Sequence, residues 1–279
     1  MENRITVVCD NCVGVMGLLG EHGFSSLVDF NGKTYLFDTG GPNLTISKNL
    51  EKLGRHPREC ESILLSHGHY DHTGGLEWAV KAAGGIKIIA HKDVYCGHAL
   101  WNPDDPASIR AVGLPMTQQE YENIGATFEY IDKTTQIAED MWFVCGVKRD
   151  DAFYVQDTRL VVNREGDIVS DIITDDASIL LKTPEGFVLL LGCGHAGLVN
   201  ILNHVKNEIG VTTIRTVIGG THLMAFNPEQ IQTTIDMLES FDIREIGVSH
   251  CTGSKASVLL GAHFKERFSP AAAGAVYKL

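Results

Sequence analysis

"LLSHGHYDHTGGL", residues 64–76, places His67, His69, Asp71 and His72 within six positions. The run leading into it, "SILLS" (62–66), has the short apolar character of a buried strand. Three imidazoles and a carboxylate straight after a strand form a donor set for zinc, iron or manganese. The chain spreads 12 histidines over 279 residues, so three in six positions is not a surface loop's chance content. At a strand end, His67 and His69 can turn toward one ion. Asp71 and His72 then face the other way and can hold a second. The remaining ligands must come from elsewhere in the chain.

Working outward, the N-terminal part reads as strands. "RITVVCD" is an apolar run, and "SSLVDF" and "KTYLFDTG" flank an Asn-Gly hairpin signal. Leu44, Ile46, Leu50 and Leu53 have helical spacing and stop at Gly54. After the motif come a helix, "GGLEWAVKAAGG", and a strand, "IKIIAH". Residues from about 92 to 165 are less regular. "NPDDPAS" reads as a loop, "TQQEYENIG" as a short helix capped by Thr117, and three later runs as strands. This segment is expected to be an insertion covering one side of the core. Beyond it, a hairpin leads to helices and strands in alternation, with Asn227 and Pro228 as N-cap and first residue of one helix. One domain over 1–279 is expected, of α/β class, with mixed sheets under helical cover.

Five strand-like runs end in polar residues: "SILLSHGHYDH", "KIIAH", "VLLLGCGH", "TVIGGTH" and "IGVSHC". Strand ends along one sheet edge converge on a crevice, where α/β folds place their sites. Cys193, His195, His222 and His250 are thereby candidates. His91 reads as a crevice or core residue, and His22 could reach the site from its loop. His56, His98, His204 and His263 follow no pattern and are expected at the surface or in the core. "CDNC" (Cys9, Cys12) has no second pair to complete a zinc knuckle.

The net charge of −12 disfavours nucleic acid and anionic membranes as partners. No apolar run approaches the roughly 20 residues that span a bilayer, and the first residues lack the pattern of a signal peptide. Seven cysteines in a chain this long suggest a reducing, cytoplasmic setting. Lys148, Arg149, Arg159 and Arg164 could hold a small anionic substrate.

His67, His69, Asp71, His72 and the "TGGL" that follows resemble the His-x-His-x-Asp-His signature of the metallo-β-lactamase superfamily. "LFDTG" (36–40) fits upstream. The resemblance implies a four-layered αββα sandwich of two mixed sheets with two metal ions at one edge. It implies that Asp38 supports a ligand histidine from behind. It also implies that His67 and His69 share one ion with a third histidine, and that Asp71 and His72 share the other with a histidine near the C-terminus. "EHGFSSLVDFNGKTYLFDTG", "LLGCGHAGLVNI", "GGTHL" and "SHCTG" are similar to the subgroup named for 7,8-dihydropterin-6-methyl-4-(beta-D-ribofuranosyl)-aminobenzene-5'-phosphate synthase. The chain departs from the superfamily at two places. It has no "PGHT" turn, the nearest equivalents being Asp175 and Asp176, and Cys193 stands where a bridging aspartate is usual. His195 is therefore the choice for the missing ligand, with Cys193 and Asp176 as alternatives. His250 is the choice for the second ion, and His222 is a ligand or a substrate contact.

The implied activity is hydrolysis of an ester, thioester, amide or phosphodiester of a small molecule by metal-activated hydroxide, with Asp71 holding the nucleophile. The metals are expected to be zinc, with iron or manganese as alternatives. The competing expectations are condensation of a dihydropterin with a ribofuranosyl-aminobenzene phosphate, and iron-dependent redox or metal-sensing chemistry.

Overall fold

A computed structural model describes residues 2–102, 104–164 and 166–279. Two seven-stranded sheets carry the chain. The first runs in the order Val276–Lys278, Arg4–Cys9, Ser25–Phe30, Lys33–Phe37, Cys60–Leu64, Ile86–His91, Ala126–Ile131. Its first three pairings are antiparallel and its last three parallel. The switch follows from the connections. Asn31 and Gly32, both at positive φ, close a tight hairpin. Parallel neighbours need a crossover, supplied by the helices Thr45–Lys52 and Leu76–Ala83.

The second sheet mirrors this logic, in the order Phe268–Pro270, Glu245–Ser249, Ile214–Gly220, Gly186–Leu191, Ser178–Thr183, Met141–Val144, Thr135–Ala138. Its crossovers are the helices Leu198–Ile209, Pro228–Glu239 and Ser254–Phe264. Asn227 caps the second of these, its side chain accepting from the Gln230 N–H, with Pro228 opening the helix.

The layer order follows from where alternate side chains go. In Gly186–Leu191, Val188 and Leu190 point between the sheets, and Leu189 and Leu191 point under the helices. Leu64 and Phe37 join the central layer, while Ile63 and Leu36 pack beneath Ile46, Leu50, Leu76 and Val80. Strands covered on both faces read as continuous apolar runs, as "GFVLLL" and "SILL" do. The result is the αββα sandwich of two mixed sheets that the resemblance implies.

Residues 92–165, expected to be one insertion, divide among three sheets. Ala126–Ile131 completes the first sheet, and Thr135–Ala138 and Met141–Val144 complete the second. Ala99–Asn102 and Asp105–Ala111 join the later hairpin Leu160–Arg164, Asp167–Ser170 in a separate four-stranded antiparallel sheet. Most of "NPDDPAS", expected to be a loop, is thus strand, with Pro103 outside the described residues. These edge strands have one wet face, so their hydrophobic signal is diluted. No helix among the described residues is long and apolar enough to cross a membrane. All seven cysteines are free.

Candidate metal centre

The strand ends converge where both sheets meet. After Leu64 the backbone bends at Ser66 and Gly68, is extended at His69, and then makes one helical turn over Tyr70–Thr73. That change of conformation splits the motif. His67 Nε2 and His69 Nδ1 approach to 3.0 Å, and the His195 ring packs edge-on against both, at 4.8 and 5.1 Å between centroids. The helical turn carries Asp71 and His72 to the other side. Asp71 Oδ2 lies 3.4 Å from His250 Nε2 and 3.9 Å from His72 Nε2. His72 Nε2 is 3.1 Å from His250 Nε2 and 3.1 Å from Cys193 Sγ. Cys193 therefore stands between the two groups. Its sulfur lies within 4.8 Å of donor atoms of His67 and His72, of His195 and His222, and of His250 and Cys251. His22, largely exposed, reaches Asp71 Oδ2 at 3.3 Å.

A frame of hydrogen bonds aims these rings. Asp38 accepts from the Ser66 N–H at 2.7 Å and the Ser66 hydroxyl at 2.6 Å, and faces His72 Nδ1 at 2.7 Å. This pins the far nitrogen of His72 toward the cluster. Asn11 Oδ1 does the same for His250 through Nδ1, at 2.9 Å. Asp38, His222 and His250 adopt φ of 57, 52 and 53°. The left-handed region is uncommon outside glycine but tolerated by Asp and His. It lets a strand end turn its side chain inward. Gly192 is required by close approach, because a Cβ there would collide with Ser66 and press on Asp38.

The cluster suits a cation. Burial and the neighbouring imidazoles push His67 and His195 well below the ordinary histidine pKa. Burial, together with His98, lowers His69 to about 4. These rings are neutral and offer lone pairs. The Nε2 atoms of His69 and His195 and the Nδ1 of His222 are buried without a hydrogen-bond partner. Each such group costs about 1–3 kcal/mol unless something satisfies it. Asp71 is held ionised: burial opposes its charge, but His72 and His250 outweigh it. Burial likewise opposes a charge on His72, yet Asp38 and Asp71 raise it to about 9. Burial pushes the Cys193 thiol up, so its thiolate needs a cation to displace the proton. An N, O and S donor set of this kind fits zinc or iron better than a purely oxygen-seeking ion.

Asp175 and Asp176 part company. Asp176 turns to the backbone, accepting from the Ala196 N–H at 2.9 Å, and burial raises it to about 6. It braces the "GCGH" turn from behind. Asp175 accepts from the Gly68 N–H at 2.7 Å and faces His98 Nε2 at 3.2 Å. His98, expected in an unremarkable place, is buried with its ring 4.8 Å from that of His69. Its Nδ1 faces Asp171 at 2.5 Å. Burial opposes its charge, but Asp175 and Asp171 raise it to about 12. His98, Asp171, Asn11 and Cys251 are the residues that sequence reading missed. Only the "SHC" context pointed at Cys251. His91 is buried against Asp93, His204 bonds Thr134, His56 caps a short turn, and His263 pairs with Glu239 at the surface.

A cavity of about 390 Å³ opens over the cluster. Its floor includes Asp71, Cys193, His195, His222 and His250, and its opposite wall comes from the four-stranded sheet. Of the cations singled out in the sequence, Arg159 lines it. Arg149 instead donates to the Ile173 carbonyl.

A sandwich of two mixed sheets with this cluster at their shared edge defines a metal-dependent hydrolase-like class, and the chain belongs to the metallo-β-lactamase superfamily. The profile of that superfamily matches residues 19–129. The uncharacterized protein MJ0448 of Methanocaldococcus jannaschii is 31% identical over 254 residues, 90% of this chain and 91% of that protein. A second protein of that organism, named 7,8-dihydropterin-6-methyl-4-(beta-D-ribofuranosyl)-aminobenzene-5'-phosphate synthase, is 29% identical over 92% of this chain and 90% of its own length. Among solved structures, Tm1679, a metal-dependent hydrolase of the beta-lactamase superfamily, superposes with a TM-score of 0.85 at 28% identity, over 99% of both chains.

Proposed function

We propose that the chain is a metal-dependent hydrolase of small molecules whose centre takes two divalent cations, zinc by preference. His67, His69 and His195 would hold one, and Asp71, His72 and His250 the other, with Cys193 between them. The observation that carries this reading is the convergence of several donor groups on His69 and His195, buried neutral imidazoles whose Nε2 atoms lack hydrogen-bond partners. When bound, such ions act as Lewis acids on a carbonyl or phosphoryl oxygen and acidify water. Asp71, kept ionised, accepts a hydrogen bond and orients the attacking water. His222, on the cavity floor, would contact the substrate's polar group. Asp38 and Asn11 act through the rings they hold. The net charge of −12 favours a small substrate over nucleic acid, and seven free cysteines suit the cytoplasm.

Elemental analysis tests the centre. Native protein is expected to carry zinc, and His67→Ala and His250→Ala each to lose metal. The reading fails if both variants keep the full content. Native protein should then hydrolyse members of a panel of esters, thioesters, amides and phosphodiesters. A second reading, condensation of a dihydropterin with a ribofuranosyl-aminobenzene phosphate, is supported by the synthase relative that shares nearly the whole chain. Binding and turnover of pterins by the purified protein would select it.

A further inference from the structure

The cavity has a wall that the metal centre does not explain. In the four-stranded sheet, Leu160 pairs with Leu100, and Leu100 pairs with Arg110. Directly paired residues share a face, as do residues two apart on one strand. Leu160, Leu100, Arg110 and Val112 therefore form one surface, and all four line the cavity. Arg110 is exposed, and its side chain makes no hydrogen bond or ion pair among the described residues. Arg159 lies beside the row. Its Nε and Nη2 donate to Asp157 at 3.0 and 2.7 Å, which leaves Nη1 for another partner. Arg110 and Arg159 against Asp157 make the lining from this sheet and its flank net positive, in a chain whose overall charge is −12. Leu100, Val112, Leu160 and Met224 give the cavity an apolar lining beside the arginines and the histidine and aspartate floor.

We infer that the substrate is an amphipathic anion, with its reacting group over the metal-ligand cluster, an apolar body along the leucine and valine row, and a carboxylate or phosphate tail held by Arg110 with help from Arg159. The inference rests on the reading of this cavity as the substrate site. The reason is chemical. A guanidinium binds planar oxyanions through paired hydrogen bonds. An unpaired one on the edge strand of an apolar wall selects ligands that carry such a group beyond an apolar body.

Calorimetric titration of the protein as purified tests this with matched ligands: phenylphosphonate, its 4-carboxy derivative, the 4'-carboxybiphenyl homologue, and 1,4-phenylenebisphosphonate. The shared phosphonate addresses the metal centre, and the second anion reports on the arginines. In the wild-type protein, one of the added carboxylates or the added phosphonate should tighten binding by about tenfold, and which of them does so tells a carboxylate tail from a phosphate tail. Arg110→Ala should abolish that gain and Arg159→Ala should reduce it. Arg58→Ala, at a distant exposed position, should preserve it. Phenylphosphonate itself should bind all four proteins equally. The inference is overturned if no second anion improves binding to the wild-type protein, or if the gain survives Arg110→Ala. The gain is a difference in equilibrium binding. It can be read whether or not the hydrolysis panel gives turnover, and hydrolysis can persist where the gain is absent.

Discussion

Asp38 shows how one buried carboxylate organises a cluster it does not enter. It holds Ser66 by both backbone and side chain and fixes the tautomer and direction of His72. Replacing Asp38 with Asn keeps the volume but leaves one oxygen fewer for these donors. Metal affinity, measured by titration against a competing chelator, should fall by about 10–100-fold, and unchanged affinity would remove Asp38 from the orienting frame. The same scale shows what a sequence can carry. His67, His69, Asp71 and His72 lie within one strand end and one helical turn, so local order alone displays them. His98 meets Asp171 across 73 positions, and no local spacing marks either residue. Arg110 is likewise unremarkable until its strand register is known.

At the scale of elements, the first sheet is tied across its inner strands by a buried charge. Asp29, in Ser25–Phe30, is 1% exposed in its side chain and accepts from Arg4 at 3.0 Å, Thr34 at 2.7 Å and both terminal nitrogens of Arg55 at 2.9 and 2.8 Å. Burial works against its charge, yet the hydrogen bonds from Arg55, Thr34 and Arg4 bring its pKa from 3.8 down to about 2. A carboxylate with a depressed folded-state pKa adds stability above its unfolded value and loses it as pH falls through the folded one. Asp29→Asn should therefore cost on the order of 2 kcal/mol at pH 7. Urea unfolding should show that gap constant down to about pH 5 and shrinking below about 4. A gap that does not change with pH would mean the loss is not electrostatic. Strand and helix identities were readable in this region because both faces of each central strand are buried and the hairpin carries Asn-Gly. The middle segment was less readable. Its strands Ala126–Ile131 and Thr135–Ala138 sit at sheet edges, mix polar with apolar residues, and choose their sheets only through long-range pairing.

At the scale of the whole molecule, the candidate ligands come from both sheets, so a bound ion would clamp one half of the sandwich to the other. An ion that binds only the folded state stabilises it by mass action. Stripping metal with a chelator should lower Tm by about 5–10 °C for sites held near a hundredfold over Kd. Restoring zinc should reverse the loss in the wild-type protein and not in His195→Ala. Scanning calorimetry reads both, and an unchanged Tm would argue that the halves are held by their apolar interface alone. The sequence by itself determined the mixed sheets under helical cover, the strand-end pattern and the first four candidate ligands, because each is written in periodicity or in neighbouring positions; the αββα layering was implied by the superfamily resemblance. Only the tertiary structure decided that His72 and His250, 178 positions apart, meet at 3.1 Å. It also decided that Cys193 stands between the two ligand groups, that Asp176 faces backbone while Asp175 faces the motif, and that an unpaired arginine looks into the cavity. Those outcomes depend on how strands pair and how their ends turn, and the energy that selects them is spread over the whole core.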